Sequence, residues 1–291
     1  MAPEHVREFE DARPRLFAIA YRMLGSAGDA EDAVQDTFLR WSTADHAEVR
    51  TPAAWLTKVL TNLCLTRLVS ARVRRERYVG PWLPEPVATA DDTLGPLDTA
   101  ERRESVSMAM LVLLERLTPP ERAVFVLREA FGYRHTEIAG ILDLTEAHCQ
   151  QLYRRARQRV DAGRPRFLPS AEERLRITQR FLEAARGGDL EGLRQLLADD
   201  VVSWADGGGK TTAARKPVVG GDKVARYLGW MSRDITGLAV RVLEVNGQPG
   251  IVATVDGAVV LTALLDIADG KIVALHLVAN PDKLAFLATQ L

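Results

Sequence analysis

The chain has 291 residues, 47% of them hydrophobic, and a formal net charge of −1, which suits two or three domains with separate cores. This charge excludes a globally basic nucleic-acid-binding protein, so any basic surface has to be local. Two distant cysteines, Cys64 and Cys149, exclude a disulfide framework or a cysteine metal cluster. The longest apolar run, near residues 258–265, is too short to span a bilayer. We therefore expect a cytoplasmic protein without membrane contact, metal or cofactor.

Two helices are predicted at the start of the chain. Apolar residues recur at helical spacing from Phe9 to Trp41, and the stretch from Gly25 to Gly28 interrupts them. Asp29 is the predicted N-cap of the second helix. When the apolar residues of that helix face inward, an acidic face with one leucine points outward, and a plain solvated face remains an alternative reading. This face comprises Asp32, Gln35, Asp36 and Leu39.

A third helix is predicted from Pro52, which suits a first helical turn, to Arg67. An arginine-rich stretch follows in residues 72–77, and arginine at this density is suited to phosphate contacts. Trp55 lies near the helix start, where it either belongs to the core or stacks on an unpaired base.

The segment Trp82-Leu83-Pro84-Glu85-Pro86 cannot form a regular element, because alternate prolines remove backbone donors and favour extended neighbours. Its tryptophan and leucine are unusual for a linker and are expected to dock on another surface. A proline-rich spacer that covers a neighbouring helix remains the simpler alternative. Residues 87–99, rich in small and polar residues, are predicted to be a flexible connector.

A helix-turn-helix is predicted between residues 137 and 160. It follows a helix from Glu101 to Leu117 and a second helix that Thr118 caps, with Glu121 three residues on. Residues 137–142 form a short helix, residues 143–144 a turn, and Thr145 caps a longer helix. This pattern favours DNA binding over a plain helical hairpin, because glutamine and arginine can contact base edges and phosphates. The outward residues are His148, Gln150, Gln151, Arg154, Arg155 and Arg157.

From Ala171 onward the pattern predicts an α+β cone in which helices precede a curved antiparallel sheet. Asp269-Gly270 predicts a hairpin turn between the last two strands. The predicted helices are 171–186, 189–198 and 222–234, and the predicted strands are 201–205, 238–245, 250–255, 258–267 and 271–278.

Residues 9–160 resemble an extracytoplasmic-function sigma factor of bacterial RNA polymerase. Residues 29–41 resemble the family's core-polymerase-binding helix, and residues 54–67 resemble the helix that opens and reads the −10 promoter element. Residues 117–122 and the helix-turn-helix resemble the domain that reads the −35 element. The resemblance implies two all-α domains and, as partners, the RNA polymerase core, through the coiled coil of its largest subunit and its flap region, and promoter DNA.

The same resemblance assigns candidate site residues. For core binding they are Asp29, Asp32, Gln35, Asp36 and Leu39; for the −10 element, Arg50, Trp55, Lys58, Asn62 and Arg67; and for the −35 element, the six outward residues of the second helix of the helix-turn-helix.

Residues 170–291 resemble the SnoaL-like branch of the NTF2-like fold, and three strings are typical of sigma factors with such a fused tail. In that subgroup the tail is taken to control sigma activity, which assigns an interdomain regulatory role to the strings. The implied domains are 5–78, a linker at 79–100, 101–165 and 170–291. The strings are Trp82-Leu83-Pro84-Glu85-Pro86, Asp206-Gly207-Gly208-Gly209-Lys210 and Asn280-Pro281-Asp282-Lys283-Leu284.

Three questions about the tail stay open at this point. Lys210 is expected to approach Glu85 or Asp282, so that the tail clamps the connector. SnoaL relatives include enzymes, but His276 and Asp256 have no second partner identifiable by spacing. A small ligand in the cone is unassigned.

Two alternatives to a sigma factor stay open for the whole chain. One is a SnoaL-type enzyme or ligand sensor with DNA-binding helices, and the other is an ordinary helix-turn-helix repressor. We expect the free chain to be a monomer.

Overall fold

The computed structural model describes residues 3–89, 94, 103–163, 169–231 and 236–291, with the side chains of residues 72–74 left aside. Most of the predicted flexible connector, residues 90–93 and 95–99, lies outside these ranges. The chain divides into two compact units, here called the helical unit (Met1–Glu76 with Asp91–Arg164) and the tail unit (Arg77–Ala90 with Pro165–Leu291). The segment that follows the third helix therefore belongs to the tail unit, although it lies between two parts of the helical unit in sequence.

The first part of the helical unit consists of α1 (Pro3–Leu24), α2 (Ala27–Ser42) and α3 (Pro52–Glu76). The predicted N-cap of α2 was wrong by three residues. The Ser26 hydroxyl, and not Asp29, caps this helix by accepting from the Asp29 amide at 3.0 Å. The apolar stripes of the three helices meet in a core that includes Leu16, Ile19, Trp41, Leu56 and Leu60.

The second part consists of α4 (Met108–Leu114), α5 (Pro119–Glu129), α6 (His135–Leu142) and α7 (Glu146–Asp161). The prediction of one continuous helix from residue 101 to 117 was wrong, because the chain turns at residues 105–107 and Ser107 caps a new helix. The capping box of Thr118 and Glu121 is present at the start of α5. Thr145 caps α7 as predicted, and Asp143 ends α6 in the left-handed conformation, so the helix-turn-helix is formed.

The tail unit has four helices in its described part: α8 (Ala171–Gly187), α9 (Leu190–Leu196), α10 (Gly221–Met231) and α11 (Pro281–Thr289). Sequence patterns missed α11, which Asn280 caps and Pro281 opens. The strands are β1 (Leu197–Asp206), β2 (Val218–Val219), β3 (Leu238–Val245), β4 (Gln248–Val255), β5 (Ala258–Ala268) and β6 (Lys271–Val278).

These strands form one sheet in the order β2-β1-β6-β5-β4-β3. The prediction of an antiparallel sheet was wrong at one pair, because β1 and β6 run parallel. A long crossover through β2, α10 and the three strands β3 to β5 separates β1 from β6, and such a crossover permits parallel pairing. Asp269 and Gly270 both have positive φ, which confirms the predicted hairpin turn between β5 and β6.

The inner face of the sheet packs against α8, α9 and α10. Ile177 and Phe181 of α8 and Val224 of α10 are buried against apolar residues of β1, β5 and β6. A cluster of buried apolar side chains therefore lies between these helices and the sheet, while α11 packs against β5.

Candidate functional site

The acidic face of α2 is solvent-accessible as predicted. Asp32, Gln35 and Leu39 are exposed, and 56% of the Leu39 surface is open to solvent. Asp29 and Asp36 are half-buried, and the opposite side of the helix is buried through residues such as Trp41. The helix thus presents one polar surface with an apolar side chain among carboxylates, and a partner with basic and apolar groups would fit it.

Arg67 of α3 contacts this acidic face directly. Its guanidinium donates to the Asp36 carboxylate at 2.7 Å and lies 3.6 Å from the Asp32 carboxylate. Sequence reasoning placed Arg67 with the −10 residues and the two aspartates with the core-binding residues. The fold brings these two predicted sites together at one ion-pair cluster.

The other predicted −10 residues occupy different environments. Arg50 is exposed and precedes α3, and Asn62 is half-buried on α3. The Trp55 ring packs against the Trp41 ring with centroids 5.3 Å apart and is half-buried, so one side of it belongs to the core. Lys58 donates to the Asp143 carboxylate of the helix-turn-helix at 2.5 Å. Arg50 and the open side of Trp55 therefore face solvent, whereas Lys58 and Arg67 are paired with acids.

Helix α7 holds its six predicted −35 residues on the solvent side. Cys149, Leu152, Ala156 and Val160 bury the opposite face, so the helix rests on the core of the unit. Arg157 pairs with Asp161 one turn away at 3.5 Å. The exposed residues are His148, Gln150, Gln151, Arg154, Arg155 and Arg157.

Within the tail unit, a buried carboxylate joins the segment from Arg77 to Thr89 to the rest of the unit, here called the tail. Asp206, at the end of β1, is fully buried and accepts from the Tyr78 hydroxyl at 2.5 Å and the Leu83 amide at 2.8 Å. The Lys283 ammonium lies 2.7 Å from the same carboxylate and also donates to the Leu83 carbonyl. One acid of the tail therefore binds one residue before the Trp82-to-Pro86 string and one within it.

Aromatic rings complete the surroundings of Lys283. Its ammonium lies over the Trp82 ring, 4.0 Å from the centroid, and over the Tyr78 ring at 4.8 Å. Leu83 is 2% exposed, so the tryptophan and leucine of the linker dock on the tail as expected. Burial, and then the hydrogen bond to Asp206, raise the pKa of Tyr78, so its hydroxyl stays protonated as a donor.

The glycine string explains how the segment comes so close to the tail. Gly208 has a φ of +58°, and a Cβ at this position would lie 2.3 Å from the Asn280 side-chain nitrogen and 3.0 Å from the Tyr78 oxygen. Asn280 itself donates to the Tyr78 hydroxyl at 2.8 Å. Only glycine leaves room for this contact, so the three strings meet around Asp206.

The end of the segment adds a short strand to the sheet. Ala88 bridges Val245 of β3 in antiparallel fashion, and the Thr89 amide donates to the Glu244 carbonyl at 3.1 Å. Gln290, just beyond α11, accepts from the Ala88 amide at 2.9 Å and donates to its carbonyl at 3.2 Å. The tail thus binds the start of the segment through the Tyr78 side chain, and its middle and end through main-chain hydrogen bonds.

Sequence reasoning left Lys210 with two possible partners, and the structure places it 2.5 Å from Asp282. This pair is exposed and joins two strings of the tail to each other. Four residues of this contact were missed: Tyr78, which lies in the segment, and Glu244, Asn246 and Gln290, which bind it. No local pattern distinguishes the last three from ordinary turn and end residues, whereas Tyr78 lies close enough to the Trp82 string to suggest a role.

The two residues considered for catalysis do not converge. His276 lies on β6, with its Nε2 2.8 Å from the Asp266 carboxylate and its ring stacked on Trp204, whereas Asp256 occupies the turn between β4 and β5. Within the described ranges, histidine, cysteine and acidic side chains form no group that could hold a metal ion. No helix of the described residues is long and apolar enough to cross a membrane.

Three family models match the chain in the order that the fold shows. Sigma-70 region 2 matches residues 9–74, Sigma-70, region 4 matches residues 107–160, and a SnoaL-like domain matches residues 178–276. The first two matches cover the helical unit, and the third covers most of the cone. They agree with two all-α sigma domains followed by an NTF2-like α+β tail.

The chain belongs to the extracytoplasmic-function (ECF) RNA polymerase sigma factors. Such proteins are transcription initiation factors and not enzymes, and they bind the RNA polymerase core and promoter DNA. The chain is 40% identical to the ECF RNA polymerase sigma factor SigJ of Mycobacterium tuberculosis over 96% of this chain and 92% of that protein. It is 34% identical to the probable ECF RNA polymerase sigma factor SigI of the same species over 96% and 94%. The crystal structure of SigJ matches with a TM-score of 0.77 at 38% identity, covering 97% of this chain and 98% of that one.

Proposed function

We propose that the chain docks its α2 face on the coiled coil of the largest polymerase subunit, while the α4–α7 part contacts the flap region. Helix α3 then reads the −10 element and helix α7 the −35 element, in the cytoplasm. The observation that carries this proposal is the exposure of Leu39 next to the carboxylates of the acidic face, because a large apolar side chain held in solvent beside charged groups is suited to burial against a partner.

We further propose that the tail controls this activity through the segment from Arg77 to Thr89. This segment is the first part of the covalent connection between α3 and α4, and Asp206, Lys283 and Gln290 bind it. While the tail holds it, this segment cannot extend to increase the separation of the two promoter-reading helices. Release of the segment would lengthen this tether and change which promoter spacings the two helices can span.

Small ligands play no part in this proposal. The contacts that this proposal uses, those of Tyr78 with Asp206 and of Ala88 with Gln290, are made within the chain itself. Control by the tail therefore requires only that the segment binds and leaves.

Transcription with purified polymerase core on a library of genomic fragments tests both proposals. The native chain should give transcripts with defined 5′ ends, and Leu39→Ala should reduce them all at saturating DNA. Tyr78→Phe removes one donor to Asp206 but keeps the ring next to Lys283, so it should change the yield or the preferred spacing. Absence of defined start sites would overturn the polymerase proposal, and an unchanged promoter set with Tyr78→Phe and Gln290→Ala would overturn the tail proposal.

A further inference from the structure

Lys58 joins the −10 helix to the helix-turn-helix by hydrogen bonds. Lys58 of α3 donates to the Gly140 carbonyl at 3.1 Å and to the Asp143 carboxylate at 2.5 Å. Gly140 lies in the last turn of α6, where carbonyls have no partner within the helix and the helix dipole favours a cation. Asp143 is the left-handed residue that ends this helix. Lys58 therefore caps the first helix of the helix-turn-helix from outside.

Further contacts extend from this lysine along the same side of α3. The Thr57 hydroxyl lies 3.2 Å from the Tyr133 hydroxyl. The Arg15 guanidinium of α1 lies 5.2 Å from the centroid of the Tyr133 ring, over its face. The residues just before α6 are thus held against α1 and α3, and Lys58 contributes to a larger contact surface.

The buried part of the same surface is also polar. Arg122 of α5 donates to the Arg22 carbonyl of α1 at 3.2 Å and to the Glu115 carboxylate at 2.5 Å. Arg75 of α3 donates to the Leu24 carbonyl at 3.0 Å and pairs with Glu115. Burial lowers the pKa of Arg122, which reflects the free-energy cost of taking its charge out of water. A purely apolar interface would not have this cost. A surface of this composition can separate more readily than a hydrophobic core.

Lys58 cannot bind Asp143 and a DNA phosphate at the same time with the same geometry. The Asp143 carboxylate lies where a DNA phosphate would contact Lys58, whereas the outward residues of α7 remain exposed. The arrangement therefore occupies one cation of the predicted −10 surface and leaves the predicted −35 surface open.

We propose that this contact is a closed state of the helical unit, in which the turn of the helix-turn-helix competes with the −10 DNA backbone for Lys58. The inference rests on the proposed role of α3 in −10 binding. Lys58 and Asp143 keep 40% and 72% of their side-chain surfaces exposed, so solvent screens the ion pair. The contact is accordingly a gate worth a few-fold in DNA affinity that salt weakens.

Asp143→Asn tests this gate, because asparagine tolerates the left-handed conformation and keeps the fold of the turn. Glu172→Gln is the matched control, since it removes one negative charge from an exposed position on α8. The probe is a mixed-sequence duplex of about 40 base pairs, titrated by fluorescence anisotropy at several salt concentrations. The slope of log affinity against log salt should steepen by about 0.9 with Asp143→Asn, as for one additional phosphate contact, and stay unchanged with Glu172→Gln.

Amide hydrogen exchange provides a readout that does not depend on DNA. Exchange in α6 should be a few-fold faster in Asp143→Asn, which loses the ion pair but keeps the bond to the Gly140 carbonyl, and faster still in Lys58→Ala, which loses both bonds. Lys58→Ala should not steepen the salt slope, since it removes the cation itself. An unchanged slope and unchanged exchange in Asp143→Asn would overturn the inference. If the native chain instead gives no defined transcripts with polymerase core, the proposed function fails, while exchange still decides whether the closed contact exists.

Discussion

The guanidinium of Arg67 donates to the carboxylate of Asp36 at 2.7 Å, and this bond joins the helix assigned to the −10 element with the face assigned to polymerase. Asp32, one turn before Asp36, lies 3.6 Å from the same guanidinium. Partial burial lowers the pKa of Arg67, but the hydrogen bond and charge of Asp36 outweigh it and raise the pKa, so the group stays a cation. A partner that engages the two aspartates would therefore alter the position of Arg67.

Replacing Arg67 by alanine should affect DNA more than polymerase. Asp32 and Asp36 would then face each other as like charges one turn apart, which costs only about 0.2–0.5 kcal/mol of helix stability. The core affinity should thus change by less than about three-fold, whereas transcription should fall at least about ten-fold if Arg67 contacts DNA. Arg40→Ala, which removes an exposed cation from α2, the helix that carries the two aspartates, is the control. Equal losses of core affinity and transcription would contradict a role at DNA.

Leu39→Ala should weaken binding to the polymerase core without destabilising the free chain. The side chain is more than half exposed, so its removal leaves no cavity, and burial of a leucine at an interface contributes about 1.5–3 kcal/mol. The core affinity measured by fluorescence anisotropy should fall by about ten-fold or more. Val69→Ala, which truncates an exposed valine of α3, should have no such effect. An unchanged affinity with Leu39→Ala would show that the docking surface does not include Leu39.

Two ion pairs of the tail should differ widely in their importance. Asp206→Asn leaves the Lys283 ammonium buried without a counter-charge, and breaking a buried pair of this kind costs about 3–5 kcal/mol. Lys210→Ala breaks a pair whose members are both more than half exposed, which should cost no more than about 1 kcal/mol. Thermolysin should cleave between Tyr78 and Thr89 much faster in Asp206→Asn than in Lys210→Ala. Comparable cleavage rates would contradict the assignment of Asp206 as the centre of the contact.

Features of the fold that depend on local signals could be predicted from the sequence. Contacts that depend on how distant elements pack could not. The capping residues Thr118 and Thr145 and the turn at Asp269 are encoded within three or four residues, so sequence reading found them. The three tail strings were recognised as a set, but their meeting point at Asp206 depends on the parallel pairing of β1 with β6. Lys58 was assigned to DNA by family resemblance, and no local pattern could show that Asp143 lies next to it, because periodicity gives the polar side of a helix but not the group opposite it.

Cys64 should resist thiol reagents until the helical unit unfolds. Burial raises the pKa of its thiol from 9.0 to about 12, and burial also raises the pKa of Cys149. At pH 8 a thiol-disulfide reagent should therefore modify neither cysteine in the native chain and both in denaturant. Rapid modification of either cysteine in the native state would show that its helix opens readily.

The same shift predicts how alkaline pH affects stability. The folded state keeps the Cys64 proton between about pH 9 and pH 12 while the unfolded state loses it, so the unfolded state binds fewer protons and stability falls as pH rises through this range. The urea midpoint should thus be lower at pH 10 than at pH 8, and Cys64→Val should reduce the difference. An equal fall in the valine variant would assign the effect to other groups.

Residues of α7 should separate into those that read sequence and those that add affinity. Gln151 lies in the first half of the helix, where recognition helices meet base edges, and Arg157 lies further along. Gln151→Ala should relax the preference at one base pair of the −35 element, with a loss of about 1–3 kcal/mol of discrimination there. Arg157→Ala should weaken binding to all sequences alike and make the salt slope shallower by about 0.9. Selection from a randomised −35 library, followed by salt titrations of the enriched duplex, measures both effects. If Gln151→Ala lowers affinity uniformly and keeps the sequence preference, the glutamine contacts the backbone and the reading face of α7 lies elsewhere on the helix.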